Sequence, residues 1–236
     1  MNLYEIITTQ QDPELAESLE RFVTEHLAEF KQVFAAHPLA KPKTGCISAC
    51  EAFWLYCLVR VVRPMVVIES GTFEGFSLYF LRRAAPEAEI HAFDPFIKPK
   101  HVPDGVRHHR CDWTRYRFNG LPAEQTLAFF DDHVNQGRRL AQALRRGIRH
   151  TIFHDNYLTP VQSHVPVRYC ELLGRARHCY VFDRLRHDPL FTDTTNNPQT
   201  YRWLTYVELE TERGALGRWF RRLRCKLRMK NPYMTR

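Results

Sequence analysis

The sequence predicts an α/β fold in which helices cover both faces of a doubly wound, mostly parallel, seven-stranded sheet. Two observations carry this prediction. Short β-rich runs alternate with stretches of helical period, which is typical of right-handed βαβ units. The first run, Met65–Glu69, is continuously apolar up to its last residue, as expected for a strand buried on both faces of a parallel sheet.

Two helices are predicted ahead of the sheet. Asp12-Pro13 is typical of an N-cap followed by a first-turn proline, and apolar residues then recur at helical spacing to about residue 35. A linker with two prolines covers residues 37–44. A second helix is predicted from about Ser48 to Val62, because Pro64 disfavours helix in the residues just before it.

The remaining elements alternate between strand and helix. The seven predicted strands are Met65–Glu69, Glu89–Phe93, Val106–Arg110, Thr126–Phe130, His150–Phe153, Cys179–Phe182 and Trp203–Leu209. Helices are predicted at Glu74–Ala85 and Val134–Arg146. We expect one α/β domain over residues 45–212, preceded by a helical extension at 1–44 and followed by a basic tail at 213–236.

The composition narrows the class of protein. A chain of 236 residues that is 44% hydrophobic and 13% aromatic is expected to form one globular domain with additions. Residues 1–11 lack the pattern of a secretory signal. The most apolar stretch, residues 53–68, is interrupted by Arg60, Arg63 and Pro64, so no membrane span is predicted.

The cysteines indicate a reducing compartment. Their number, seven, is odd, and no CxxC pair occurs. Cys46 and Cys50 are four residues apart and could clip a metal, but buried free thiols are the favoured interpretation. We therefore expect a cytoplasmic protein.

The net charge of +8 is concentrated in the basic tail, residues 213–236. This segment contains nine Lys or Arg and no acid, so the rest of the chain carries a net charge of −1. A nearly neutral body disfavours nucleic acid as the partner. The tail has the pattern of a basic amphipathic helix with Trp219 and Phe220 on its apolar side, which predicts attachment to an anionic membrane surface. A helix docked on the domain is the alternative.

The loop after the first strand, called the glycine loop below, reads Glu69-Ser-Gly-Thr-Phe-Glu-Gly-Phe-Ser77. Gly71 and Gly75 remove side chains where the backbone turns tightly and approaches a ligand. Ligands of open α/β sheets bind beyond the carboxyl ends of the strands. The spacing E-x-G-x-x-x-G differs from the G-x-G-x-x-G of a nicotinamide dinucleotide site. A generic strand–turn–helix joint is the alternative.

This loop resembles motif I of the class I S-adenosylmethionine (SAM) dependent methyltransferases, which have a Rossmann-like fold. The resemblance implies that the loop binds the methionine end of SAM. Asp94, at the end of the second strand, would accept hydrogen bonds from the ribose, and Asp112-Trp113 would hold the adenine. The cofactor-binding residues implied in this way are Glu69, Ser70, Gly71, Thr72, Gly75, Ser77, Asp94, Asp112 and Trp113.

Two further polar clusters, called the acid-rich turns below, follow the fourth and fifth strands. They read Phe129-Phe-Asp-Asp-His133 and Phe153-His-Asp-Asn156, and the strand order predicts that both face the crevice of the glycine loop. Converging carboxylates are costly without a cation or a substrate. Oxygen ligands of this kind suit Mg²⁺ or another hard divalent cation. Helix capping by one Asp of each cluster is the alternative.

These clusters resemble the metal site of the metal-dependent O-methyltransferases of the catechol type and of their relatives that act on sugars and natural products. The resemblance implies metal ligands at Asp155 and Asn156 and at either Asp131 or Asp132. It further implies that His133 acts as general base, and that Asp132 helps to position the reacting oxygen. Sugar-directed members tend to carry an Asp three residues before the His, where this chain has Phe130.

The predicted function is therefore SAM-dependent O-methylation of a hydroxylated small molecule, a sugar or a glycan, assisted by a divalent ion. The expected location is the cytoplasm, peripheral to the inner face of a membrane, and the sequence is compatible with a homo-oligomer. Two rival hypotheses stay open. One is an RNA-modifying methyltransferase anchored by the basic tail, and the other is a non-catalytic, membrane-peripheral binding protein.

Overall fold

Four helices and seven strands make up the described part of this computed structural model. The structure describes residues 13–39, 46–155, 167, 170, 172–173, 176–182, 189–191 and 204–209. The basic tail, residues 213–236, and the predicted metal ligand Asn156 lie outside these ranges.

The helices are α1 (Pro13–Ala35), α2 (Ala49–Val62), α3 (Phe76–Ala84) and α4 (Gln136–Arg145). A capping box begins α2, since Ser48 accepts from the backbone of Glu51 while the Glu51 carboxylate accepts from the backbone of Ser48. Helix α3 begins two residues later than predicted, because Gly75 at the N-cap of this helix has a left-handed conformation.

The strands are β1 (Val66–Ser70), β2 (Glu89–Phe93), β3 (Val106–His109), β4 (Thr126–Phe130), β5 (His150–Phe153), β6 (Ala176–Phe182) and β7 (Leu204–Leu209). They form one sheet in the order β3-β2-β1-β4-β5-β7-β6. Every pairing from β3 through β5 is parallel, and β7 runs antiparallel to both β5 and β6. The predicted α/β, mostly parallel, Rossmann-like fold is confirmed.

Two apolar clusters cover the two faces of the sheet. Alternate residues of a strand point to opposite faces, so Val67 joins the cluster under α2 and α3, whereas Val66 and Ile68 join the cluster under α4. In β4, Phe129 joins the cluster under α2 and α3, and Phe130 joins the cluster under α4. Strands buried on both faces need continuous apolar sequence, which is why these runs were recognisable.

Helix α1 packs directly on the domain core. Its Phe30 is fully buried, and the ring centroid of Phe30 lies 5.0 Å from that of Phe53 in α2 and 5.6 Å from that of Phe80 in α3. His37 adds a polar anchor, because its Nε2 lies 3.0 Å from the carbonyl oxygen of Phe76. The N-terminal helix therefore shares the core of the α/β unit.

The cysteines within the described ranges are free thiols: Cys46, Cys50, Cys57, Cys111, Cys170 and Cys179. The seventh, Cys225, lies in the basic tail. No helix within the described ranges combines the length and the apolarity that crossing a membrane requires.

The sheet brings the turns after β1, β4 and β5 to one edge. Beyond the paired strands, the Asp131 amide donates to the Ser70 carbonyl oxygen at 2.8 Å, and the His154 amide donates to the Phe130 carbonyl oxygen at 3.0 Å. The glycine loop and the two acid-rich turns are thus neighbours, as the sequence predicted.

Candidate functional site

The glycine loop begins with a buried acid. Glu69 is fully buried at the end of β1, and its Oε1 accepts a hydrogen bond of 2.5 Å from the Ser77 hydroxyl of α3. Burial raises the pKa of Glu69 to about 8, so the carboxyl is mostly protonated at neutral pH. Its Oε2 has no hydrogen-bond partner within the described residues.

Both glycines of the loop are required by the backbone itself. Gly71 and Gly75 have φ of +95° and +88°, values that L side chains rarely adopt. A Cβ at Gly71 would lie 2.2 Å from the carbonyl oxygen of Asp131, and one at Gly75 would lie 2.0 Å from that of His101. The loop therefore packs directly against the turn after β4, and a larger residue at Gly71 would disturb both turns together.

Asp94 fixes the turn after β2 to the glycine loop. Its Oδ2 accepts from the Phe73 amide at 3.1 Å, while its Oδ1 accepts from the amides of Phe96 and Ile97 at 2.9 and 2.8 Å. Each carboxylate oxygen can accept more than one hydrogen bond. Asp94 thus retains acceptor capacity on Oδ2 at the edge where the resemblance expects a ribose.

Asp112 and Trp113 follow β3 and contact two arginines, Arg139 of α4 and Arg146 at the C-cap of that helix. The Asp112 carboxylate caps a helical turn by accepting from the Thr114 amide, and its Oδ2 lies 2.6 Å from Nη2 of Arg139. Burial opposes ionisation, but the hydrogen bonds from Arg139 and Thr114 prevail and lower the pKa of Asp112 to about 2. The buried Trp113 ring packs beneath the guanidinium of Arg146, 4.6 Å from its centroid.

The turn after β5 contributes a buried histidine surrounded by carboxylates. Nδ1 of His154 lies 2.7 Å from Oδ1 of Asp131 and 3.2 Å from Oδ1 of Asp155, and its Nε2 lies 3.1 Å from Oε1 of Glu51. Burial by itself would lower the pKa of His154, but these three acids raise it well above its usual value. These acids therefore favour the protonated form of the imidazole.

Asp131, His154 and Asp155 form the one group among the described residues whose ligand atoms converge as a metal site requires, all lying within 4.8 Å of one another. The two carboxylates fit a small divalent cation, and His154 would join them only as the neutral imidazole, after losing its proton to solvent. Asp131 supplies the carboxylate from β4, and Asp155 supplies the one from β5.

Asp132 lies apart from that group and is held by other partners. Its Oδ2 accepts from the Ser70 hydroxyl at 2.5 Å and lies 2.6 Å from Nη2 of Arg139. Its Oδ1 accepts from the Val134 amide at 3.1 Å. The arrangement ties Asp132 to the end of β1 and to α4.

His133 is the exposed member of the cluster. Its side chain is 64% exposed, and its Nδ1 lies 3.0 Å from Oδ2 of Asp155. A shallow pocket at this position is lined by Phe130, Asp131, Asp132, His133, Val134, Gln136, His154 and Asp155. His133 is therefore accessible from solvent at the edge of this depression, with Asp155 beside its ring.

Two residues of the site escaped the sequence analysis. Arg139 lies on the buried face of α4 together with Leu140 and Ala143, so its position within that apolar stripe was the available signal. Glu51 fits a capping box, and nothing in the sequence distinguishes it from an ordinary cap. The fold brings both to the acid-rich turns.

The chain was compared with known proteins. No protein-family model matches it, and neither does any curated protein. An O-methyltransferase from Bacillus cereus, in complex with S-adenosylhomocysteine (SAH), aligns with a TM-score of 0.51 at 14% identity, over 81% of this chain and 97% of that one. The O-methyltransferase TomG from Streptomyces achromogenes, in complex with SAM, aligns at 0.51 and 15% identity, over 85% of this chain and 99% of that one.

A SAM-dependent O-methyltransferase from Thermotoga maritima aligns with a TM-score of 0.54 at 9% identity, over 82% of this chain and 73% of that one. At such identities the likeness shows a shared fold. The chain therefore has the Rossmann-like fold that the class I SAM-dependent methyltransferases use.

Proposed function

We propose that this protein is a SAM-dependent methyltransferase that methylates a hydroxyl group of a small molecule, a sugar or a glycan. One observation carries the proposal: the glycine loop after β1 and the acid-rich turns after β4 and β5 are in direct contact. Asp131 touches Gly71 through its backbone and His154 through its side chain. A methyl donor and an acceptor bound at these turns would be neighbours, as in-line transfer requires.

The chain offers a fitting residue for each part of the cofactor. The orphaned Oε2 of the protonated Glu69 carboxyl suits the amino-acid end, because buried polar atoms rarely stay without a partner. Oδ2 of Asp94 suits the ribose. The backbone of Asp112 and Trp113 suits the adenine, since the Trp113 ring is itself buried in the core. Bound SAM supplies an electrophilic methyl group.

His133 is the residue that we assign as general base. Its exposed ring borders the pocket, and the Asp155 carboxylate beside Nδ1 favours the tautomer with the proton on Nδ1, in which Nε2 is the basic nitrogen. Removal of the hydroxyl proton at Nε2 would raise the nucleophilicity of the acceptor oxygen.

The proposal also includes a divalent ion bound at the acid-rich turns. Asp131 and Asp155 are the carboxylates that would hold it, with His154 next to both and Asn156 following in the chain. Such an ion would lower the pKa of a bound hydroxyl. Since Asp132 is already bound by Ser70 and Arg139, we assign the β4 ligand to Asp131.

Calorimetric titration of the full chain with SAH, in the presence and absence of a chelator, tests the proposal. We expect saturable 1:1 binding without added metal, followed by methyl transfer to a hydroxylated acceptor in a panel of sugars, glycans and phenols. Absence of SAH binding would refute the methyltransferase assignment. If the protein binds SAH and a chelator does not reduce methyl transfer, the methyltransferase assignment stands and the metal proposal is refuted.

We further propose that the basic tail attaches the protein to an anionic membrane surface. Its nine basic residues and lack of acids suit anionic lipid, where each Lys or Arg contributes about 1 kcal/mol. Sedimentation with phosphatidylserine vesicles should capture the full chain and lose it when residues 213–236 are deleted. Equal capture of both proteins would remove this proposal.

A further inference from the structure

A single guanidinium lies between two loops of the site. Arg139 is 3% exposed, and its Nη2 lies 2.6 Å from Oδ2 of Asp112 and 2.6 Å from Oδ2 of Asp132. Its Nη1 also donates to Oδ1 of Asp112 at 3.3 Å and to Oε1 of Gln142 at 2.9 Å. One buried cation thus binds two carboxylates that come from different loops.

The two carboxylates belong to different loops of the site. Asp112 begins the helical turn at Trp113–Arg115 after β3, the loop that we assign to the adenine. Asp132 lies in the turn after β4, beside His133, and also accepts from Ser70 at the end of β1. Without the guanidinium, the carboxylates of Asp112 and Asp132 would repel each other in a poorly solvated place.

We propose that Arg139 is a positioning residue that sets the separation between the cofactor loop after β3 and the catalytic turn after β4. This inference rests on the proposed methyltransferase function. The spacing matters because misplacement of a reacting group by about 1 Å can cost a hundredfold in rate. Arg139 touches neither cofactor nor acceptor, and acts through Asp112 and Asp132.

The planar fork of arginine explains the choice of residue. Nη2 lies within hydrogen-bond distance of both carboxylates, while Nη1 adds a second bond to Asp112, so the rigid guanidinium fixes both acceptors relative to each other. A lysine carries the same charge on a single nitrogen at the end of a flexible stem. Arg139→Lys should therefore keep the charge balance but lose the bonds of Nη1 and the fixed geometry that holds the two loops.

Calorimetric titration of the full chain with SAH tests the inference. We expect Arg139→Lys to bind SAH about tenfold more weakly than the wild type, and Arg139→Gln to bind it about a hundredfold more weakly. Changes in affinity of this size are typical of the coupling between two sites of a protein. Arg138→Gln is the matched control, because Arg138 is the neighbouring, exposed arginine. It should bind SAH within about twofold of the wild type. Arg139→Lys keeps the test valid if Arg139→Gln fails to fold.

A double-mutant cycle separates positioning from general stabilisation. In the wild-type background, the effects of Asp112→Asn and Asp132→Asn on SAH affinity should deviate from additivity by about fivefold or more. In the Arg139→Lys background they should add. Additivity in both backgrounds, or wild-type affinity in Arg139→Lys, would overturn the inference. Failure of the wild type to bind SAH would instead refute the proposed function.

Discussion

Nδ1 of His133 lies 3.0 Å from Oδ2 of Asp155, and both residues have left-handed backbone conformations, with φ of 54° and 60°. Non-glycine residues adopt this conformation at a cost of about 1 kcal/mol or more. Two such residues therefore face each other at the ends of adjacent strands. We interpret this as strain accepted in order to bring a base and its orienting acid together.

The first prediction separates this strain from the chemistry of the imidazole. His133→Ala and His133→Gly both remove the proposed base, so both should lower kcat by on the order of 10²–10⁴-fold. Glycine tolerates positive φ, so His133→Gly should be about 1 kcal/mol more stable than His133→Ala. Urea unfolding and turnover of an accepted hydroxyl compound measure the two effects. Equal stability would contradict a left-handed conformation at this position in solution.

The second prediction concerns the contact between the glycine loop and the turn after β4. Gly71→Ala should destabilise the protein by about 3 kcal/mol or more, because its Cβ would overlap the Asp131 carbonyl oxygen, which belongs to the backbone. Gly120→Ala is the matched control, since Gly120 also has positive φ, +70°, but has nothing within 4 Å of its Cβ position.

The Gly120→Ala variant should lose only about 1 kcal/mol. Thermal unfolding of the two variants gives the comparison, and similar losses would show that the contact between the turns is loose. From the sequence, Gly71 is expected to let the backbone approach a ligand. The structure adds contact with the neighbouring turn as a second reason, so cofactor binding and folding should fall together when Gly71 is replaced.

Much of the framework was predictable because it depends on local pattern. Strands buried on both faces require continuous apolar runs, and acids such as Glu69 and Asp94 at their ends are visible in the sequence. The partners of these acids were not predictable. Arg139 contacts Asp112 at a separation of 27 residues, and Glu51 contacts His154 only because the first turn of α2 lies beside the turn after β5.

The sequence also does not determine which of the two adjacent acids after β4 contacts the turn after β5. The sequence contains Asp131 and Asp132 side by side, directly after β4 ends at Phe130. Which of them meets His154 depends on the turn after the strand, and the structure shows that it is Asp131.

The third prediction tests that distinction with a metal. Asp131→Asn should weaken binding of Mn²⁺, used as a probe for the native ion, by more than about tenfold, because a carboxylate ligand is lost. Asp132→Asn should bind Mn²⁺ within about threefold of the wild type, since Asp132 is held by Ser70 and Arg139. Electron paramagnetic resonance titration measures both. The reverse order would move the β4 ligand to Asp132, and absence of Mn²⁺ binding in the wild type would remove the metal.

The fourth prediction follows from the burial of Glu69, which raises its pKa from 4.5 to about 8. The folded protein then holds this proton more tightly than the unfolded chain does, so the contribution to stability is complete below pH 4.5 and is lost as the pH rises towards 8. The loss is on the order of a few kcal/mol. Glu69→Gln imitates the protonated carboxyl and cannot ionise.

The Glu69→Gln variant should therefore show a flatter dependence of unfolding free energy on pH between 4.5 and 8, with its advantage over the wild type largest near pH 8. Denaturant unfolding at several pH values gives the curve. Glu124→Gln, which changes an exposed acid, is the control and should keep the wild-type slope. If Glu69→Gln kept that slope as well, Glu69 would be ionised in the folded protein, and its assignment as a buried, protonated neighbour of the cofactor would have to be abandoned.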